Sequence, residues 1–442
     1  RRTVSIGLDA MDDTLSERKA RAAHAAVSQG LLGGDTLLAG FVDVAGVQAV
    51  IGELRRAFPA HFTHAFAAKA GCLESILALV RSAGMACEVA SPGELAQAEA
   101  AGFAPGQIVF DSPAKTRTEI RDALVRGMML NIDNFQELER VDAAMAELGG
   151  SAAVIGIRIN PQVGVGTIAA MSTATRTSKF GIALDDAGNR ERILAAYRQR
   201  PWLTCVHTHV GSQGCPLELI ASGVGKAVAL AREVNALAGR PQVTTVDIGG
   251  GLPVNFESDA VAPTFGEYAT ILRAMAPDLF TGEFRVVTEF GRSVMAKNGF
   301  IVARVEYTKV TGGRHIALTH AGAQVATRTV FMPELWAIRV SALDPSGRPK
   351  AGAKVAQDIA GPCCFAGDIV ASQRLLPLLE PDDWVLLHDT GAYYFSTPFV
   401  YNSLPRVAVH GFELRDREVV FRLMRPEETL GAIVAATAQA AS

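Results

Sequence analysis

The chain has 442 residues, 49% of them hydrophobic, and a formal net charge of −3 at pH 7. This length exceeds that of one ordinary compact domain, so we expect two domains, one of them large. The nearly balanced charge argues against nucleic acid and against an anionic membrane surface as partners.

The cysteines and the start of the chain bear on where the protein works. The six cysteines are scattered without zinc-ligand spacing, which is typical of reduced thiols in a cytoplasmic enzyme. No apolar run of signal-peptide length follows Arg1 and Arg2, and no stretch reaches about 18 uninterrupted apolar residues. We therefore expect a cytoplasmic protein without a membrane span.

Residues 1 to about 40 are predicted to be helical and then loop-like, and the apolar stretch 36–44 is predicted to be a strand. From about residue 46 to 295, short apolar runs alternate with longer stretches rich in Ala, Glu and Arg. There are eight such runs: 64–68, 86–90, 107–110, 128–132, 154–159, 204–209, 245–248 and 285–289. Strands that alternate with helices predict a parallel sheet, and eight units in about 250 residues are typical of a (β/α)8 TIM barrel.

The pattern changes after residue 296. Six apolar runs with short polar connections follow and predict a mostly-β domain: 300–310, 314–319, 337–340, 352–359, 383–388 and 406–410. We therefore expect an α/β barrel domain over 46–295, and a second domain built from 1–45 and 296–442. The Ala-rich tail 431–442 is expected to end a helix or to fray.

Barrel enzymes place their chemistry at the carboxyl ends of the strands, and Lys69 follows the first predicted strand. A lysine among small residues at a strand end is partly desolvated, which lowers the pKa of its ammonium group and suits attack on an aldehyde. The segment Ala67–Ala70, taken alone, describes an ordinary exposed lysine better.

Two histidines end the sixth predicted strand. His207 and His209 share one face of that strand, and Ser212 follows them. An imidazole that stacks on a ring, with a serine placed for a phosphate, is one interpretation. A pair of ordinary strand histidines fits equally well. No further His or Cys lies at ligand spacing nearby, so we expect no metal.

The loop after the seventh strand contains Gly249, Gly250 and Gly251. Three glycines let backbone N–H groups converge on an anion, and TIM barrels often bind phosphate after their last strands. The spacing matches neither a Rossmann fingerprint nor a P-loop. A phosphate site is favoured over a tight turn without a ligand.

The eighth strand ends at Glu289, with Gly291 and Arg292 directly after it. A carboxylate here can hold a protonated ring nitrogen and the arginine an anion, although a salt bridge on the barrel rim fits as well. In the β domain, a thiol such as that of Cys364 can act as a proton donor, because a cysteine pKa is near working pH.

Taken together, these residues resemble the fold-type III PLP (pyridoxal 5′-phosphate) decarboxylases, the group of diaminopimelate decarboxylase and eukaryotic ornithine decarboxylase. The resemblance covers about residues 60–405. Its markers occur in the family's order: Ala68-Lys69-Ala70, the stretch from Glu88 to Leu95, Ser178-Lys179-Phe180-Gly181-Ile182, His209-Val210-Gly211-Ser212-Gln213, Asp247 to Gly251, Glu289-Phe290-Gly291-Arg292, Gly361-Pro362 with Cys364, and Gly391-Ala392-Tyr393. Each marker is weak alone, but the ordered set is specific. The resemblance implies an alanine-racemase-like fold, with a PLP-binding barrel and a C-terminal mostly-β domain.

The resemblance also implies a role for each of these residues. Lys69 binds PLP as a Schiff base, His209 stacks on the ring, Glu289 pairs with the pyridine nitrogen, and Glu88 belongs to the cofactor site. The implied phosphate contacts are Ser212, Gly249, Gly250, Gly251, Gly291, Arg292 and Tyr393. Cys364 reaches the active site of the neighbouring subunit and protonates the product, so a homodimer with shared sites is implied.

The substrate is less well defined by the sequence. Diaminopimelate decarboxylases usually have a glutamate after the cysteine, which helps to recognise the far amino group, whereas Phe365 stands here. Arg292 and Arg328 stand where the family binds a distal carboxylate, but Met332 replaces the usual tyrosine. These differences argue against meso-diaminopimelate and favour the D-ornithine/D-lysine decarboxylases or decarboxylases of natural-product pathways.

We therefore expect PLP-dependent decarboxylation of a small amino acid, a diamino acid, with release of carbon dioxide and an amine. Glu289 favours this reaction over a racemase of the same fold, which has an arginine at that place. A non-catalytic PLP-binding homologue is disfavoured because Lys69, Ser212 and the three glycines are present. A metal-dependent barrel hydrolase would need carboxylates beside His207 and His209 on other strand ends.

Overall fold

The computed structural model describes residues 13–415 and 418–438. The predictions for residues 1–12 and for the last four residues of the tail fall outside these ranges. The chain divides into two compact units. The barrel unit comprises Gln48–Val254 and Ala262–Val294, and the sheet unit comprises the residues up to Val47, the segment Asn255–Val261 and the residues from Met295 onward.

The chain begins with helix α1 (Leu15–Ser28), strand β1 (Leu38–Asp43) and helix α2 (Val44–Ala57). Helix α1 starts at a capping box, in which Thr14 and Glu17 exchange side-chain to backbone hydrogen bonds of 3.2 and 2.7 Å. These bonds satisfy two N–H groups that the first helical turn leaves unpaired. Strand β1 lies within the predicted stretch 36–44.

The barrel unit contains a closed ring of parallel strands, as the sequence predicted. The strands are β2 (Phe62–Ala67), β3 (Ala86–Val89), β4 (Ile108–Phe110), β5 (Met129–Ile132), β6 (Ile155–Asn160), a two-residue strand β7 (Ile182–Ala183), β8 (Leu203–Thr208), β9 (Thr245–Asp247) and β10 (Arg285–Phe290). Strand β7 pairs with β6 alone, and the other eight close the barrel through the β2–β10 and β5–β6 pairings. Each of these eight strands overlaps one of the eight predicted runs, so the predicted barrel is confirmed.

Helices connect most of these strands. They are α3 (Glu74–Ser82), α4 (Pro92–Ala100), α5 (Arg117–Arg126), α6 (Phe135–Leu148), α7 (Asn189–Gln199), α8 (Leu217–Ala238), α9 (Phe265–Met275) and the short α10 (Arg292–Met295). Buried side chains from several strands of the ring pack together, among them Ala65 of β2, Val109 of β4 and Val287 of β10. The barrel interior is therefore a packed core, and chemistry is restricted to the strand ends.

The sheet unit continues with ten elements: β11 (Gly299–Thr311), β12 (Arg314–Thr319), α11 (Ala323–Phe331), β13 (Val340–Leu343), β14 (Lys354–Ala360), β15 (Ile369–Pro377), β16 (Trp384–Leu387), β17 (Ala408–Arg415), β18 (Glu418–Arg425) and α12 (Leu430–Thr437). The strands form one sheet in the order β15-β14-β12-β11-β1-β17-β18, and β13 and β16 extend it from β11. The core of this sheet includes stacked Phe41 and Phe300, whose ring centroids lie 5.0 Å apart. The predicted mostly-β domain is thereby confirmed.

The structure differs from the predicted β elements in three places. The run 337–340 overlaps β13 at Val340 only. Strand β18 was not predicted, because only one of its eight residues is buried, which leaves no apolar alternation. Strand β15 was not predicted either; it includes Gln373 at a φ of 50° beside an irregular register with β14. In the part of the chain that the structure describes, no helix is both long and apolar enough to cross a membrane.

Candidate active site

The predicted site residues of the barrel unit lie at or next to the carboxyl ends of its strands. Lys69 occupies a single turn of 3-10 helix, Ala68–Ala70, directly after β2. Glu88 is in β3, His209 follows β8, and Glu289 is in β10. Since β3, β2 and β10 are neighbours in the ring, their ends meet at one edge of the barrel.

The Lys69 amine contacts a buried carboxylate. Its Nζ donates to Oε2 of Glu88 at 2.5 Å, and 43% of the Lys69 side chain is exposed while 1% of the Glu88 side chain is. Burial raises the pKa of Glu88 to about 8, although the Lys69 charge opposes the shift. The lysine amine is thus reachable from solvent and has a proton-accepting group beside it.

His209 is held as a neutral ring by the glycine loop. Its Nδ1 accepts a hydrogen bond from the N–H of Gly250 at 3.1 Å. Burial lowers the pKa of His209 to about 3, and the nearby charge of Arg158 acts in the same direction. A ring whose Nδ1 accepts and that carries no charge is suited to stacking on a flat ligand.

The loop Gly249–Gly251 requires glycine at each position. Gly249 and Gly251 have φ angles of 66° and 99°. A Cβ atom on Gly250 would lie 2.1 Å from the carbonyl oxygen of Glu289, and one on Gly251 would lie 1.8 Å from that of Gly211. The loop therefore packs against the backbone just before Ser212 as well as the end of β10, which brings three predicted phosphate-binding segments together.

Gly291 and Arg292 lie next to the lysine turn. A Cβ atom on Gly291 would lie 2.7 Å from Cβ of Ala70. Arg292 begins α10 and is 6% exposed. The structure thus places these two predicted residues beside the segment that carries Lys69.

Glu289 is buried and has one oxygen available. Its Oε1 makes no hydrogen bond to any residue that the structure describes, and its Oε2 lies 3.7 Å from Nε2 of His207. Burial alone would raise the pKa of Glu289, but the His207 charge outweighs burial and lowers it. Glu289 is therefore an anionic acceptor with an unused oxygen inside the barrel mouth.

Several charged and polar residues around Glu289 were not among the predicted site residues. Arg158 donates to Asp111 at 3.1 Å, and Asn131 donates to Asp247 at 3.1 Å; all four side chains are buried. Burial and the neighbouring Glu289 raise the pKa of Asp247 well above its usual value. The available signal was polar residues within apolar strand runs, which is unfavourable unless they are paired.

The geometry also bears on the metal-dependent alternative. Asp111, His207 and Glu289 each present one potential ligand atom, and these atoms lie within 4.8 Å of one another. His209 does not belong to this group, and its Nδ1 already accepts from Gly250. The histidine pair that this alternative required is therefore divided between two different tasks.

The remaining predicted residues belong to the sheet unit. The Arg328 guanidinium lies over the Tyr393 ring, 4.5 Å from its centroid, and its Nη1 is buried without a hydrogen-bond partner among the described residues. Tyr393 has a φ of 73°. Cys364 is exposed, and Phe365 stacks on Phe331 with a centroid distance of 5.5 Å. The sheet unit thus brings Arg328 and Tyr393 together, and Cys364 and Phe365 are chain neighbours.

The chain is similar to known proteins over most of its length. A family model described as "Pyridoxal-dependent decarboxylase, pyridoxal binding domain" matches residues 44–296. Diaminopimelate decarboxylase from Pseudomonas aeruginosa is 34% identical over 375 residues, which cover 83% of this chain and 86% of the relative. The enzyme of the same name from Zymomonas mobilis is 32% identical over 376 residues, covering 82% and 85%.

Solved structures give the same result for the fold. Diaminopimelate decarboxylase from Helicobacter pylori, complexed with L-lysine, superposes with a TM-score of 0.81 at 25% identity, covering 93% of this chain and 99% of that one. Lysine/ornithine decarboxylase from Vibrio vulnificus, complexed with putrescine, has a TM-score of 0.73 at 21% identity, covering 91% and 99%.

Proposed function

Because the chain belongs to the pyridoxal-dependent decarboxylases, for which PLP is the cofactor, we propose that it decarboxylates a diamino acid at the barrel mouth around Lys69. The observation that carries the proposal is Glu289, a buried and ionised carboxylate with a free oxygen. An anion here favours a protonated pyridine nitrogen and hence decarboxylation. The arginine expected of a racemase is absent from position 289.

The residues present fit PLP. The unpartnered Oε1 of Glu289 needs an N–H donor, which a protonated pyridine ring provides. The glycine loop packs its backbone, without side chains, against the segment before Ser212 and the end of β10, and backbone N–H groups without Cβ obstruction suit close approach of a phosphate. The neutral His209 ring suits stacking, and the exposed Lys69 amine suits covalent attachment.

When bound, PLP supplies the electron sink for the bond that breaks as carbon dioxide leaves. Lys69 would hold the cofactor, and Glu88 accepts a hydrogen bond from the Lys69 Nζ that positions this amine. Glu289 keeps a proton on the ring nitrogen, and His209 covers one face of the ring and keeps water from it. Ser212, the glycine loop, Gly291, Arg292 and Tyr393 hold the phosphate by family resemblance.

The final protonation at the substrate Cα is assigned to the thiol of Cys364 from a second copy of the chain, as the resemblance implies. This assignment makes the protein a homodimer with shared active sites. We also propose that it works in the cytoplasm, which the small number and scattered positions of its six cysteines support.

The substrate proposal depends on the sheet unit. Arg328 has a buried Nη1 that lacks an acceptor among the described residues, so it is suited to an anionic group of the substrate. Phe365 offers no carboxylate for a far amino group. Arg328 alone would suit a second carboxylate, which meso-diaminopimelate has and which ornithine and lysine lack. Phe365 and Met332, however, replace side chains that the resemblance assigns to recognition of diaminopimelate. On that ground we expect a diamino acid such as ornithine or lysine to be the better substrate.

A panel of substrates tests this expectation. Carbon dioxide release should be measured with D- and L-ornithine, D- and L-lysine, meso-diaminopimelate and arginine. Release from meso-diaminopimelate alone would contradict the role given to Phe365. Exchange of the Cα hydrogen in deuterated water without carbon dioxide release would contradict decarboxylation itself.

The role of Lys69 is tested by covalent trapping. We expect borohydride to fix the cofactor on Lys69 in the parent protein, and mass spectrometry of its peptides to show this. Lys69→Ala should abolish the labelling. Lys226 lies on α8 and forms a surface ion pair with Asp185, so Lys226→Ala should not change the labelling. Labelling of another lysine in Lys69→Ala would refute the assignment.

A further inference from the structure

His207 has an environment that the roles given above do not explain. It lies in β8 with no exposed surface, so its ring is enclosed by the barrel. Its Nδ1 faces Oδ1 of Asp111 at 3.8 Å, and its Nε2 faces Oε2 of Glu289 at 3.7 Å. Neither nitrogen makes a hydrogen bond within the described ranges. The imidazole thus sits between two carboxylates, one from the end of β4 and one from β10.

The charges around this ring do not balance without it. Three buried carboxyl groups face His207, from Asp111, Asp247 and Glu289. Asp111 is paired with Arg158 at 3.1 Å, and burial raises the pKa of Asp247 well above its usual value. The other titratable groups of this region are Lys69, which contacts Glu88, and His209, which is neutral. Among the neighbouring charges, that of His207 lowers the pKa of Glu289 most, and an uncompensated buried carboxylate is costly.

We propose that His207 is a positioning residue that acts through Glu289: as an imidazolium between Asp111 and Glu289, it keeps the Glu289 carboxylate ionised and turned so that Oε1 is left for the ring nitrogen of the cofactor. This inference rests on the proposed function. The electron sink would then depend on a residue to which the family resemblance gives no role at PLP.

A neutral side chain at position 207 would allow Glu289 to take up a proton. Without the His207 charge, burial is left to raise the pKa of Glu289. His207→Gln should therefore lower kcat on the order of 10- to 100-fold. KM should change by less than about twofold, because substrate binding groups are not altered.

The charge of His207 is measured directly by NMR of the full-length protein labelled at its nine histidines, with PLP bound and after PLP removal. The carboxylates outweigh burial and raise the pKa of His207 to about 9, whereas burial lowers that of His64 to about 4. The His207 signal is identified as the one that is missing from the spectrum of His207→Gln. In the parent protein we expect this signal to be that of an imidazolium at pH 8. A neutral His207 at pH 6 would overturn the inference, whatever the activity.

A double-mutant cycle tests whether the effect passes through Glu289. We expect His207→Gln combined with Glu289→Gln to be no slower than Glu289→Gln alone, because both remove the same ionised carboxylate. Multiplied effects would overturn the inference. If His207→Gln fails to fold, His207→Asn takes its place in both experiments.

The matched control is His64→Gln, which changes another buried barrel histidine. His64 makes a hydrogen bond of 2.8 Å with Oγ1 of Thr288. Its pKa is lowered by burial, and none of the carboxylates around Glu289 contributes to that shift. Its kcat should stay within about twofold of the parent. An equal loss in His64→Gln would assign the His207 effect to packing. A parent without decarboxylase activity would contradict the proposed function and leave the NMR result on His207 intact.

Discussion

At the scale of single residues, the adjacent cysteines Cys363 and Cys364 have different environments. Cys363 is buried, its Sγ lies 3.7 Å from Oε1 of Gln324, and burial raises its pKa to about 11. Cys364 is exposed in the same turn, and its backbone N–H bonds to Asn402. Accessibility therefore distinguishes the two thiols, and Cys364 is the one that can reach another subunit.

This difference gives a prediction with an internal control. Cys364→Ala should lower kcat about 100- to 10,000-fold, the range of a lost general acid, and should release some product by decarboxylation-dependent transamination. Steady-state kinetics and analysis of the released amine or carbonyl compound measure both effects. Cys363→Ala should keep the parent kcat. Equal kinetics for the parent and Cys364→Ala would remove Cys364 from the mechanism.

The residue scale also shows the limit of sequence reasoning at the site. Glu289 and His209 were predicted from their places at strand ends, and the structure places them together around the barrel mouth. Asp111 and Arg158 were not predicted, because their importance arises from a contact of 3.1 Å across 47 positions of the chain.

At the scale of elements, the loop Gly249–Gly251 depends on the absence of side chains. Gly251→Ala would place a Cβ atom 1.8 Å from a backbone oxygen, at a φ of 99° that L residues rarely adopt. We expect a loss of about 3 kcal/mol in the free energy of unfolding, with much weaker PLP binding, because the backbone must move.

Thermal or urea unfolding and PLP titration measure these losses. The control is Gly106→Ala, whose Cβ atom would meet nothing within 4 Å. It should change the free energy of unfolding by less than about 0.5 kcal/mol and leave PLP binding unchanged. Parent-like PLP affinity in Gly251→Ala would mean that this loop does not hold the phosphate.

The elements themselves were predictable where their pattern is local. All eight barrel strands are short apolar runs between helices, because strands buried on both faces need continuous apolar side chains. Strand β18 and helix α11 were missed because they lack a clear local pattern. Only one of the eight residues of β18 is buried, and α11 is short with a non-helical Ala326 (φ −126°) inside it.

At the scale of whole units and assemblies, the sheet unit contains a buried ion cluster around Asp389. This carboxylate accepts from Lys19 at 2.6 Å, Lys297 at 3.2 Å and Arg339 at 3.0 Å. Burial would raise the pKa of Asp389, but these cations lower it. Its stabilising effect is therefore fully present above the unfolded-state pKa near 3.8 and is lost as pH falls through the lower folded-state pKa.

Asp389→Asn should lower the free energy of unfolding by about 3–5 kcal/mol at pH 7, because it leaves buried cations uncompensated. The matched control is Asp382→Asn at an exposed ion pair with Arg304, with an expected cost under about 1 kcal/mol. Both aspartates have positive φ angles, 59° and 73°, which asparagine tolerates. Equal losses at pH 7 in denaturant unfolding would contradict the role of the cluster.

The proposed shared active site makes a prediction for the assembled protein. Lys69→Ala and Cys364→Ala proteins mixed in equal amounts should regain about a quarter of the parent activity after subunit exchange, because half of the dimers carry one intact site of two. Mixing Lys69→Ala with Glu289→Gln should restore none, since both residues belong to the barrel unit. Mixed dimers without recovered activity would contradict a shared site.

The sequence by itself determined the two architectures and the reaction class. Strand and helix periodicity are local properties of the chain, and the ordered markers from Lys69 to Tyr393 lie in short segments that can be read one at a time. Only the tertiary structure decided which cysteine is accessible, that His207 and His209 have separate surroundings, and that Asp111, Asp247 and Arg158 surround Glu289. These facts depend on burial and on charges brought together from distant strands, and both are set by the closing of the barrel.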